Sequence, residues 1–287
     1  MPTLTFPRFG ATPAAGPGPI DDAALRRLVP SAFAPHQHAS RSRRYTYIPT
    51  SAVIDGLRAH GFEPTFARQG RCRLPGKADF TKHLIRFRFA GPAPALRKVG
   101  DTVPEVVLVN SHDGTSAYQL MAGVFRLVCL NGLIASDREL ATIRVPHKGD
   151  VVRQVIEGSH AVLEESRRAL GQAEAWSAVT LSREEQMAMA EAAHVLRFGE
   201  DAAATPIRPE QMLTVRRRED EGRDLWTTAN MLQEHVIRGG LTAWGRDPQG
   251  RPRRVTTREI RGIDGDVRLN RALWRLSERM AELKAVA

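Results

Sequence analysis

The hydrophobic period of this chain changes near Asp150. From Phe62 to that point apolar residues alternate with polar ones in short runs, the pattern of β-strands. After it they recur every three or four residues, the pattern of amphipathic helices. Runs of strands followed by runs of helices exclude an alternating β-α architecture and point to an α+β fold. The expectation is a strand-rich N-terminal half with a curved antiparallel sheet, followed by a helical C-terminal half packed on it. A single domain is expected over residues 21–287, divided into a basic strand-rich part (21–148) and a helical part (149–287). Residues 1–20 are rich in Pro, Gly and Ala and are expected to form a flexible arm.

Local signals place the elements. Asp21 and Asp22 can cap a short helix, AALRRLV, which Pro30 ends. Ser51 is positioned to cap a helix through Ala59, with Gly61 as its stop. FEPTFARQGRCRL and HLIRFRFAG read as strands. In the second of these, Leu84, Arg86 and Arg88 alternate with Ile85, Phe87 and Phe89, so that one face is apolar and the other carries two guanidinium groups. Val106 to Val109 reads as a buried strand, and Asp113-Gly114 as a hairpin turn into a strand from Tyr118 to Val128. Arg126, between Phe125 and Leu127, needs a partner such as Asp113, and Asn131-Gly132 reads as the next turn. Helices are expected from Val152 to Trp176, from Ser182 to Phe198, from Asp224 to Arg238 and from Asp266 to Ala285. Ser182 and Glu185 form a capping-box pattern, and Gly239-Gly240 closes the third helix. GRDPQGRPRR, residues 245–254, reads as an exposed basic loop.

The formal net charge is +10, and 37 of the 42 basic side chains are arginine. GC-rich coding favours arginine over lysine, but it does not set where the charge sits. Residues 1–100 carry a net +11, residues 101–200 a net −5 and the remainder a net +4. An N-terminal excess of this kind suits a polyanionic partner, because neutralising phosphates releases counterions and gives affinity without sequence readout. The candidate nucleic-acid contacts are Arg41, Arg43, Arg44, Arg68, Arg71, Arg73, Lys77, Lys82, Arg86 and Arg88, with Tyr45 and Tyr47 offering aromatic faces to bases.

Other chemistries find little support. Two cysteines, Cys72 and Cys129, cannot build a disulfide scaffold or a four-cysteine zinc site. His36 and His38 lack neighbouring ligands, so no metal and no cofactor is expected. There is no P-loop, no G-x-G-x-x-G and no nucleophile elbow. No apolar run approaches the roughly 20 residues of a membrane span. MPTLTFPRFGATPAAGPGPI has no basic head ahead of an apolar stretch, so no secretory leader and a cytoplasmic location are expected.

VLVNSHDGTSAYQLMAGVFRLVCLNGL resembles a widespread plasmid- and phage-like bacterial family, the "domain of unknown function nine-three-two". The resemblance rests on Asn110, His112, Asp113, Gly114 and Ser116, followed by Arg126, Cys129 and Asn131. LWTTANMLQEHV and NRALWRLSERM are similar to the family's helical tail, and the likeness spans roughly residues 40–284. It implies a setting on mobile genetic elements and no particular reaction.

The motif admits a catalytic reading, with His112 as general base and Cys129 as nucleophile. Against it, adjacent residues on a strand point to opposite faces, and Cys129 sits in a strongly apolar run. The simpler reading is a braced turn, in which Asn110, Asp113 and Ser116 bond local backbone and Gly114 supplies positive φ. The expected function is therefore a nucleic-acid-binding accessory protein of a mobile element, acting on DNA rather than RNA, with single strands in recombination or replication as one use. The alternatives are an enzyme on nucleic acid or nucleotide using the His112–Asp113 corner, and a protein-binding or anti-defence factor. A homo-oligomer through the helical half is compatible with each, using Leu269, Leu273, Leu276, Met280 and Leu283 on the last helix.

Overall fold

The alternating stretch between Phe62 and Phe89 forms two antiparallel strands, β1 (Phe62–Gln69) and β2 (His83–Phe89). The structure, a computed structural model, describes residues 18–41, 47–72, 74, 76–90, 102–116, 118–126, 131–134, 143–145 and 150–286, with backbone alone for 125, 126, 131–133 and 143–145. β3 (Thr102–Asn110) and β4 (Tyr118–Arg126) continue the antiparallel order β1-β2-β3-β4. β5 (Asn131–Ile134) and β6 (Ile143–Val145) share the far edge of β4, at Gly123–Arg126 and Tyr118–Leu120 respectively. Pro64 lies on β1, an edge strand where a missing N–H is tolerated, and the register breaks between Pro64 and Phe66. Asn131 and Gly132, read as a turn, instead begin β5, with Asn131 opposite Arg126.

Helices pack on the sheet as the change of period implies. α1 (Asp22–Leu28) is capped by Asp21, whose carboxylate accepts from the Ala24 N–H at 2.7 Å. Ile20, placed by sequence in the flexible arm, is buried, and its N–H donates to Pro64 O at 2.7 Å. The rest of that arm lies outside the described residues, apart from 18 and 19. α2 (Thr50–Ala59) starts one residue before the expected Ser51 cap, because the Thr50 side chain turns inward. α3 (Val151–Ser177) lies across one sheet face, where Val155, Val162 and Leu163 join Ile85, Phe87, Leu108, Leu120 and Val124 in the main core. α4 (Arg183–Phe198) carries the expected capping box between Ser182 and Glu185.

α5 (Leu225–Arg238) is buried at every residue from Leu225 to Ile237, not on one apolar side alone. Its polar members are bonded inside: Asn230 Nδ2 donates to Trp226 O at 2.7 Å and Gln233 Nε2 to Asn270 Oδ1 at 2.8 Å. The expected basic loop at 245–254 is a second hairpin, β7 (Thr242–Arg246) and β8 (Pro252–Thr256). Its turn is tight because Gly250 takes a φ of 79° and Asp247 Oδ1 accepts from the N–H groups of Gln249 and Arg251. α6 (Ile263–Val286) then returns to the sheet.

The start of α6 covers the second sheet face. Ile263 and Val267 pack with Leu84, Val107, Val109, Met121 and Ile134. Both faces of the central strands are therefore dry, which is why Val106 to Val109 is continuously apolar. Further along α6, Leu269 and Leu273 are buried, Leu276 and Met280 pack against the main core, and Leu283 is exposed. No helix among the described residues is long and apolar enough to cross a membrane.

Candidate nucleic-acid interface

Strand alternation puts Arg68, Arg86 and Arg88 on the second sheet face, the face that α6 closes. Glu105 on β3 is fully buried and receives Arg86 Nη1 at 3.1 Å and Arg88 Nε at 2.9 Å, one guanidinium on each oxygen. Arg68 reaches Glu259 at 3.0 Å and Asp266 at 3.4 Å. Lys82 holds Asp264 at 2.6 Å. Burial pushes the Asp266 carboxyl up, against the opposing pull of Arg86 and Arg68. Arg86 and Arg88 are thus neutralised within the sheet, and Arg68 and Lys82 join it to the last helix and the residues just before it, whereas sequence spacing assigned all four to phosphates. The basic side of β2 is not left open to water, because a buried guanidinium requires a carboxylate within reach and the second half of the chain supplies most of them.

The motif residues converge on Thr50. Its hydroxyl lies 3.0 Å from His83 Nε2, 3.1 Å from His112 Nε2 and 3.4 Å from the Tyr118 hydroxyl, and it accepts from Asn110 Nδ2 at 3.0 Å. All five side chains are fully buried. His83 is pushed down to about 3 by burial, with the neighbouring His112 adding to the shift, so its ring is neutral. With its single ring proton on Nδ1, His83 serves Thr81 O, 3.3 Å away, which can only accept, and the Ser31 hydroxyl at 3.0 Å. His83 Nε2 then accepts from Thr50, and His112 Nε2 donates to it. The network staples α2, β2, β3 and β4 at one corner.

The adjoining turn is braced from outside. Asp113 Oδ1 accepts from the Thr115 N–H at 3.0 Å and the Thr115 hydroxyl at 2.6 Å. Burial acts to raise the Asp113 carboxyl, but the Thr115 bonds, Ser111 and the charge of Lys77 together hold it below the usual range. Ser111 and Ser116 bond each other across the loop. Gly114 has a φ of 78° and lies directly under the Arg41 guanidinium. Tyr47 faces inward: its hydroxyl donates to Ala34 O, and its ring centroid is 5.1 Å from that of His112. His36 and His38 rest on Phe80, and no group of three or more metal-ligating side chains occurs among the described residues. Arg43, Arg44, Tyr45, Arg73 and Cys129 lie outside the described residues, as do the side chains of Arg126 and Asn131.

Arg71 is exposed and lines a cleft of about 740 Å³ together with Arg27, Gln69 and Cys72. Arg41 and Lys77 flank the Asp113–Gly114 turn a few residues away. The larger concentration of open positive charge lies in the segment read from sequence as an exposed basic loop, which was not among the expected nucleic-acid contacts. Arg246, Arg251, Arg253 and Arg254 are exposed on the β7–β8 hairpin, and among the described residues no carboxylate pairs with any of them. The signal was present in the sequence: T-A-W-G-R and P-R-R-V-T alternate on either side of D-P-Q-G.

Residues 37–274 match the family described as "Domain of unknown function (DUF932)". The chain belongs to this family. Two relatives from Escherichia coli (strain K12), UPF0380 protein YafZ and UPF0380 protein YfjQ, are each 48% identical to it over 260 residues, 91% of this chain and 91% of theirs. No solved structure matches. The DUF932 region takes in the Thr50 network, the whole sheet, the hairpin and the first half of α6.

Proposed function

We propose that the protein is a nucleic-acid-binding accessory factor of a mobile genetic element, acting in the cytoplasm without a cofactor and holding DNA in preference to RNA through phosphate contacts. One observation carries this reading: Arg246, Arg251, Arg253 and Arg254 lie on one hairpin and pair with no carboxylate among the described residues, while Arg68, Arg86, Arg88 and Arg216 are tied into ion pairs. Uncompensated guanidinium groups on one short hairpin repel one another, and a polyphosphate relieves that repulsion by releasing its counterions. Arg27, Arg71, Arg41 and Lys77 would add contacts along the sheet end. The mobile-element setting follows from the family resemblance of the Asn110–Asn131 motif.

The test is a gel-shift series with single-stranded, duplex and RNA probes between 50 and 200 mM salt. Four phosphate contacts should weaken binding about a hundredfold over that range. The R253A/R254A variant should bind less tightly and with a shallower salt slope. Affinity that is flat across salt, or no shift with any probe, overturns the reading.

A further inference from the structure

The molecule has four tryptophans, and three of them are interior: Trp274 is 1% exposed, Trp176 4% and Trp226 6%. Trp244 is 73% exposed. It lies in the middle of β7, and strand alternation sets its neighbours. Thr242, Trp244 and Arg246 share one face with Thr256, Arg254 and Pro252 of β8, Trp244 standing directly opposite Arg254. The opposite face anchors the hairpin: Ala243 packs on the core, and a β-carbon at Gly245 would sit 3.1 Å from Pro206. Gln211 Nε2 donates to Thr242 O at 2.9 Å, and Thr257 N–H to Leu241 O at 2.9 Å. The one carboxylate in the hairpin, Asp247, is turned into its own turn.

An indole of this size gives up considerable burial energy by standing in water. Here it stands on an anchored platform between two arginines. We propose that this face binds single-stranded nucleic acid, with a base stacked on Trp244 and the flanking phosphates held by Arg246 and Arg254. The proposal rests on the nucleic-acid reading above and narrows it to a substrate class. In a duplex the base faces are covered by their neighbours, so a flat hairpin meets only phosphates, and the indole adds nothing unless a step is unstacked. In a single strand every base offers a π face, which makes the contact tolerant of sequence.

The experiment uses the full chain, an oligo(dT) of about 20 nucleotides and a duplex of the same length, a span that covers one or more binding footprints of this kind. Because the other three indoles are interior, emission quenched by collisional quenchers reports on Trp244. Oligo(dT) should quench and protect that emission, and W244A should weaken oligo(dT) binding about tenfold while leaving duplex binding unchanged. W244F should recover part of the loss, and circular dichroism should show all variants folded. R246A/R254A should weaken both probes. If W244A binds oligo(dT) as tightly as the parent and emission is unchanged on binding, the stacking proposal is overturned while phosphate binding stands. If the emission responds only to anionic phospholipid vesicles, or the parent binds neither probe, both readings fail.

Discussion

Arg86 donates to Glu105 across 3.1 Å on a sheet face where neither side chain meets appreciable water. The same carboxylate takes Arg88 on its other oxygen. Gly123 lies opposite Glu105 in the register of β3 and β4, and a β-carbon there would press on the Val107 side chain at 3.0 Å. An ion pair in this position adds little net stability when intact, because desolvation offsets attraction, but its half-removal is costly.

Glu105→Ala is accordingly expected to lose about 3–5 kcal/mol, since it strands two guanidinium groups against a dry face. Urea denaturation gives the value directly. A loss below about 1 kcal/mol would show that Asp266, the next carboxylate along that face, takes over the charge.

His83 gives the fold a pH dependence of defined sign. Its folded pKa is pushed down to about 3 from an ordinary 6.5. The native state therefore favours the neutral ring, and its contribution is complete above about pH 6.5 and is lost as pH falls toward 3. Within that window each pH unit should remove about 1 kcal/mol for this one proton. His235 is lowered as well and acts in the same direction. Denaturation midpoints between pH 7 and pH 4 should fall less steeply in His83→Gln than in the parent, and an identical slope would remove His83 from the account.

Gly114→Ala combines two penalties. The backbone φ of 78° is unfavourable for any residue with a β-carbon, and that carbon would lie 2.8 Å from Arg41 Cζ. A loss of about 1–3 kcal/mol is expected in thermal unfolding. Adding Arg41→Ala should restore the part due to collision and leave the part due to φ. A double variant no better than Gly114→Ala would assign the whole cost to the backbone.

Ser182→Ala removes the hydroxyl that accepts from the Glu185 N–H at 3.2 Å at the start of α4. The expected cost is about 1 kcal/mol, and faster amide exchange should be confined to the first turn of that helix. Uniform exchange changes along α4 would contradict a capping role.

The elements could be read from sequence because their signals are local. Alternation in Leu84–Phe89, the Ser182–Glu185 box and the Gly239-Gly240 stop each sit within a few residues of what they specify. The burial of the arginines could not be read this way. Arg68 and Asp266 are 198 residues apart, and Lys82 and Asp264 are 182 apart. A strand with one apolar and one basic face looks the same whether water or another helix covers the basic side. The motif corner divides similarly. Asp113, Gly114 and Ser116 form a local turn, as their residue types suggest. The convergence of His83, Asn110, His112 and Tyr118 on Thr50 depends on three strands and a helix meeting, and no spacing encodes it. Trp244 was overlooked because the Gly and Pro of its neighbourhood suggest a loop more strongly than five-residue strands suggest a hairpin.

The pairing of early arginines with late carboxylates also orders events during synthesis. Arg68 and Lys82 leave the ribosome long before Glu259, Asp264 and Asp266 exist, and the apolar cover of Ile263 and Val267 arrives with those carboxylates. Until then the nascent sheet presents one uncovered side on which Arg68 and Lys82 still lack their acidic partners. The last helix is thus the closing piece of the first half of the protein, and the second face of the sheet is covered only once residues 259–267 have been translated.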